Sequence, residues 1–203
     1  MPRLNKGEKT NLNVTQKARH RIMVGLSWDP AQTQGFMDKM REITGTPTAH
    51  DLDLVCYLYS PDHSFVEHIS GDAGRNVDLS EKIYHSGDNV DGDAAGDDEE
   101  ISAELKDLPP YISHLVFCAL VRSGHKFGDV EAPEIRLADG YTNHNLLLTP
   151  INHAEGKDKN GFVFAHVYRS ASSETGWNLH YVQDYLRYGG QTEFVEKLKE
   201  YLI

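Results

Sequence analysis

The chain reads as an all-β protein: a two-sheet β-sandwich with a short inserted helix and a C-terminal helix. Three observations lead there. Most apolar segments are short and rich in Val, Ile, Leu, Phe and Tyr; they are separated by Gly, Asp, Asn or Pro; and only two segments break this pattern with helical periodicity. Eight or nine such strands suffice for two packed sheets.

RIMVGLSW (21–28) is the first strand. GFMDKMREI (35–43) then sets Phe36, Met40 and Ile43 at helical spacing, which predicts the inserted helix over 36–43. In DLDLVCYLY (51–59) the two-residue period puts Asp51 and Asp53 on one face and Leu52, Leu54, Cys56 and Leu58 on the other. Strands follow at SFVEHI (64–69), EEISAEL (99–105), YISHLVFCALV (111–121), EIRLA (134–138), NLLLTPI (145–151), GFVFAHVYR (161–169) and WNLHYVQ (177–183). TEFVEKLKEYLI (192–203) comes after Gly189-Gly190, carries the supporting pair Glu193 and Lys197, and spaces Phe194, Leu198, Tyr201 and Leu202 helically. Its apolar stripe is expected to dock on the parent domain. With no repeat of 20–50 residues, the expectation is a single domain over 1–203.

Composition narrows the function. Of 203 residues 39 % are hydrophobic and 25 % charged, an ordinary globular balance. No apolar run approaches the ~20 residues that cross a bilayer, and MPRLNKGEKT is not followed by an apolar signal core, so the chain reads as cytoplasmic and not integral to a membrane. Cys56 and Cys118 lie in apolar surroundings and read as buried free thiols. A net charge of -11 repels phosphate backbones, and QKARHR (16–21) is the nearest approach to a basic patch, so nucleic acid is not an expected partner. The 11 histidines form no HExxH or Cys/His cluster, and GxSxG, P-loop and dinucleotide patterns are missing.

The acidity is local. SGDNVDGDAAGDDEE (86–100) holds seven carboxylates and no cation, and with Asp51 and Asp53 these leave the rest of the chain only slightly negative. A folded domain tolerates such a cluster by solvating it, by raising its pKa values, or by placing a cation in it. Gly87, Gly92 and Gly96 let the backbone turn so that several oxygens can face one point. A hard cation wants 6 to 8 oxygens, and calcium suits an irregular loop better than magnesium. No alignment on Gly92 or Gly96 yields an EF-hand. A merely solvated acidic loop stays open as the alternative. Of the remaining polar or aromatic residues nearby, His85 reads as a strand-end histidine, Trp28 and Trp177 as core aromatics with hydrogen-bonded indoles, and Asp29 as a cap on the turn at Pro30.

The ordered set VGLSWDP (24–30), DLDL (51–54), HSGDN (85–89), GDDEEI (96–101), KFGDVEAPEIR (126–136) and ETGWNL (174–179) resembles the TerD family of tellurium-resistance and stress-response proteins. LNKGEKTNL and RYGG look like its opening and closing segments, so the resemblance covers essentially the whole chain. It implies a β-sandwich that binds Ca²⁺ without known enzymatic activity and assembles with other Ter proteins in the cytoplasm or at the inner membrane surface. The ligands it implies are Asp51, Asp53, Asp88, Asn89, Asp97, Asp98 and Glu99. Asp91, Ala94 and Ala95 depart from the family pattern, as do the longer segment before Asp51 and residues 68–84, which marks a divergent member and leaves the number of ions open. Two other classes of function remain: a metal-dependent hydrolase using the same acids, and an acidic interaction module without metal.

Overall fold

Period-two alternation becomes two antiparallel sheets in a computed structural model, which describes residues 4–15, 19–29, 51–89, 96–122, 124–151 and 153–203. The expected helix 36–43 lies outside these residues. The strands are β1 (Lys9–Asn11), β2 (Arg21–Asp29), β3 (Leu52–Tyr59), β4 (Phe65–Ile69), β5 (Ile83–His85), β6 (Glu99–Glu104), β7 (His114–Val121), β8 (Glu131–Asp139), β9 (Asn145–Pro150), β10 (Gly161–Arg169) and β11 (Trp177–Leu186). One sheet has the order β1-β11-β10-β7-β3-β4 and the other β5-β6-β2-β8-β9. β1 and β5 were not foreseen, because three residues are too few to show a period. Single turns of 3₁₀ helix at Phe127–Asp129 and of α-helix, α1, at His153–Gly156 punctuate the second half.

Between the sheets, Val24, Leu26 and Trp28 of β2 face Leu54 and Leu58 of β3, Phe117 of β7 and Phe164 of β10. The C-terminal helix α2 (Gln191–Leu198) continues as a 3₁₀ turn, Lys199–Tyr201. It covers the outer face of the six-stranded sheet, where Phe194, Val195 and Leu198 pack on Val55, Tyr57, Val116 and Cys118. Tyr59 Oη donates to the Val195 carbonyl at 2.8 Å. β3 and β7 are therefore buried on both faces, and the side of β3 that begins with Asp51 and Asp53 runs on beneath the helix. Burying a side chain such as Phe194 stabilises by roughly 2–3 kcal/mol. Cys56 and Cys118 are free and buried, and burial pushes both thiols up.

At the far end of β3 and β7 the same outer face carries a row of histidines. His63 meets His114 edge-on at 5.0 Å between ring centroids. His114 Nδ1 and His166 Nε2 lie 3.0 Å apart, one donating to the other, and His166 sits opposite His180 across β10 and β11. The Tyr201 carbonyl acts on His166 and His180 against the effect of burial, but His166 Nδ1 and His180 Nδ1 have no hydrogen-bond partner among the described residues. Burial, with His63 adding, lowers His114 to about 4, and burial together with His114 and His180 holds His166 well below the usual range.

Candidate metal centre

β4 pairs with β3 only from Cys56 onward, so the N–H and C=O of Leu54 face away from any strand partner on that side. Buried backbone groups need partners, and the second sheet supplies them. Glu99 Oε2 accepts the Leu54 N–H at 2.7 Å, and His85 Nε2 lies 3.1 Å from the Leu54 carbonyl. The Gly87 N–H donates to His85 Nδ1 at 3.0 Å, which leaves the ring proton on Nε2, between that carbonyl and Glu99 Oε2 at 3.3 Å. Glu99 Oε1 accepts the Asn89 N–H at 3.2 Å, so a fully buried carboxylate joins β3, β6 and the acidic loop. His85 is the strand-end residue expected, with this additional grip.

Asp51 and Asp53 flank Leu52 at the start of β3. Asp53 is 5 % exposed, and its Oδ2 has no hydrogen-bond partner among the described residues; nor does Asp51 Oδ1. Arg122, the residue after β7, brings Nε to 3.2 Å from Asp53 Oδ2, within ion-pair distance but off the line of a hydrogen bond. Its Nη1 is committed elsewhere, donating to Asp72 Oδ1 and Oδ2 at 3.1 and 2.9 Å. Burial raises the Asp53 carboxyl to about 7, with Asp51, Glu99 and Asp88 adding to the effect and Arg122 opposing it. Burial, then Asp88 and Glu99, raise Asp51 as well. Asp88 is brought in by Gly71, where a Cβ would lie 2.9 Å from the Asp88 Cα.

The other expected ligands divide. Asp98 Oδ2 accepts the Trp28 N–H at 3.0 Å, and Asn89 Nδ2 donates to Asp98 Oδ1 at 3.3 Å. Asp97 turns onto the outer face of the five-stranded sheet, where Arg136 grips it through Nε at 2.9 Å to both oxygens and through Nη2 at 2.6 Å. Only glycine fits beneath it, since a Cβ at Gly25 would lie 2.1 Å from Asp97 Oδ2. The structure thus brings together Asp51, Asp53, Asp88 and Glu99, with Asn89 and Asp98 adjoining, and leaves Asp97 outside.

Among the described residues no group of three or more His, Cys, Asp or Glu side chains is placed so as to hold a metal ion. Sequence reasoning missed Arg122 and Asp72. The available signal was a cation closing the longest apolar strand, since the register that pairs Leu52 with Val121 puts Arg122 beside the strand acids. The indoles also divide: Trp177 Nε1 donates to the Leu105 carbonyl at 3.2 Å, whereas Trp28 Nε1 is buried without a partner among the described residues.

Comparison with known proteins accords with this architecture. The family profile described as TerD domain matches residues 1–189. Stress response protein SCP2 of Bacillus subtilis is 29 % identical over 186 residues, spanning 83 % of this chain and 86 % of its own length. Tellurium resistance protein TerZ of Serratia marcescens is 30 % identical over 140 residues, 68 % of this chain and 69 % of that one. The crystal structure of a homologue of telluride resistance protein (TerD) from Streptomyces coelicolor A3(2) superposes with a TM-score of 0.70 at 22 % identity, covering 90 % of this chain and 98 % of that one. No helix among the described residues is long and apolar enough to cross a membrane.

Proposed function

The chain belongs to the TerD family, whose members are named for tellurium resistance and stress response, and from that premise we propose that it is a non-catalytic, calcium-regulated scaffold of the stress response. The observation that carries the reading is the pair of carboxylate oxygens without a hydrogen bond, Asp51 Oδ1 and Asp53 Oδ2, the second on a buried carboxyl raised to about 7. Both shifts mark acids that lack enough positive charge, which a divalent cation supplies. Hard carboxylate oxygens with an exposed, adjustable Asp88 suit calcium's loose geometry. Asp51, Asp53 and Asp88 would hold the ion, Glu99, Asn89 and Asp98 would shape the cradle around it, and Asp97 drops out of the ligand set because it belongs to Arg136.

Bound calcium would neutralise the cluster and draw the acidic loop against the start of β3. The surface so ordered is what other Ter-type proteins would recognise, in the cytoplasm or at the inner membrane surface. The hydrolase reading is weaker: Arg122 is held by Asp72 and Asp53, and the His85 ring is fixed between Gly87, Leu54 and Glu99, so neither is available as a substrate grip or general base. Thermal unfolding with calcium and with chelator is the test. A thousandfold excess over Kd stabilises by about 4 kcal/mol, equivalent to a rise of roughly 8–16 °C for a domain of this size. Coincident midpoints would refute the proposal.

A further inference from the structure

Arg122 enters the acid cluster from β7 with two unequal attachments. Its Nη1 makes two hydrogen bonds to Asp72, while its Nε merely approaches Asp53 Oδ2, at 3.2 Å and out of line. The guanidinium is thus tethered on one side and loosely apposed on the other. Asp53 Oδ2 is also, with Asp51 Oδ1, a buried carboxylate oxygen without a hydrogen bond among the described residues, and so a position where an incoming cation would coordinate. Two cations cannot occupy that oxygen at the same distance. The weaker attachment is the one that yields, because the aligned, charge-assisted bonds to Asp72 hold the guanidinium back.

Resting on the calcium reading above, we infer that Arg122 is a built-in competitor of the calcium ion: it partly balances Asp53 when the ion is away, retreats onto Asp72 when the ion arrives, and thereby sets the affinity of the site. The tether has a further consequence. Asp72 follows Gly71, whose backbone supports Asp88, so the retreat of Arg122 bears on the segment that positions a second ligand. The affinity of such a site is held down by the resident charge, since a positive guanidinium a few ångströms from the ion opposes its entry.

Calorimetric titration of the full chain with calcium tests this with three variants. Arg122→Gln removes the competitor and is expected to tighten Kd by about tenfold, while lowering the melting midpoint in chelator. Asp72→Asn cuts the tether, lets the guanidinium settle on Asp53, and is expected to weaken Kd several-fold. Arg122→Lys keeps the charge and is expected to stay near the parent Kd. A merely structural role predicts the opposite sign for Arg122→Gln. A weaker or unchanged Kd in that variant, with the parent chain binding normally, overturns the inference alone. No calcium binding by the parent chain or by Arg122→Gln overturns the calcium reading and this inference together.

Discussion

The outer face of the six-stranded sheet buries ionisable groups at both ends of the β3–β7 pair, and the two ends are accommodated by different means. At the Asp53 end, carboxylates that are charged in water at neutral pH crowd around one arginine, and burial raises the pKa values of Asp51 and Asp53. At the Tyr59 end, the rings of His63, His114, His166 and His180 meet edge-on or stacked, and burial lowers the pKa values of His114, His166 and His180. Histidines buried as neutral rings carry no charge to balance: His114 and His166 share one hydrogen bond, and His166 Nδ1 and His180 Nδ1 are buried without a hydrogen bond among the described residues. Carboxylates keep a demand for positive charge that Arg122 meets only in part. One sheet face thus contains an end whose buried groups rest neutral and an end whose buried groups carry a charge demand that one arginine meets in part.

Removing the cover common to both ends should have the largest effect. Phe194→Ala truncates the α2 residue packed between Tyr57 and Tyr188 and is expected to cost about 3–5 kcal/mol, read as a lower urea midpoint with an unchanged slope. A cost under about 1 kcal/mol would mean the helix is not needed to bury this face.

Next comes pH. The folded His114 sits at about 4 against a free value of 6.5, so its contribution is complete above pH 6.5 and is lost as pH falls from there through 4. The loss is about 3 kcal/mol, visible as a falling melting midpoint in chelator, and His114→Asn should flatten it.

Asp97→Asn should be the control for the acidic end. It weakens the bidentate Arg136 contact and costs about 2 kcal/mol, yet leaves the calcium-induced rise in midpoint intact. Loss of that rise would return Asp97 to the ligand set.

Asp53→Asn should have the opposite pH signature. A carboxyl raised from 3.8 to about 7 contributes stability below its unfolded value, which is lost as pH rises through 7. In chelator at pH 8 the amide should therefore be more stable than the acid, by about 4 kcal/mol, while the response to calcium disappears. Differential scanning at pH 5 and pH 8 reads both changes.

Much of this was legible in the sequence where a period could be counted. GFVFAHVYR became β10 residue for residue, and Asp51 and Asp53 share a face because strand side chains alternate. Asp97 and Asp98 precede β6, and their side chains turn to different surroundings, a division that an acidic run read as one unit conceals. Glu99 could not be read as a buried brace, because its partner, the Leu54 amide, is exposed to it only by where β4 stops. Arg122 was hidden for a similar reason: its neighbours are chosen by strand order, which brings β7 beside β3. The C-terminal helix was expected from its stripe, but the surface it covers was not, since β3 and β7 are apolar on both sides.

The lengths of the outermost strands bear on how copies of the chain meet. β1 and β5 offer three residues each, and Val77 bridges to Tyr84 along the free side of β5. β4 offers five, and β9 offers six but closes on Pro150, which has no amide hydrogen to donate. A second molecule approaching edge-on therefore finds few consecutive unpaired amides to extend, and sheet-to-sheet polymerisation is discouraged by the brevity of the borders.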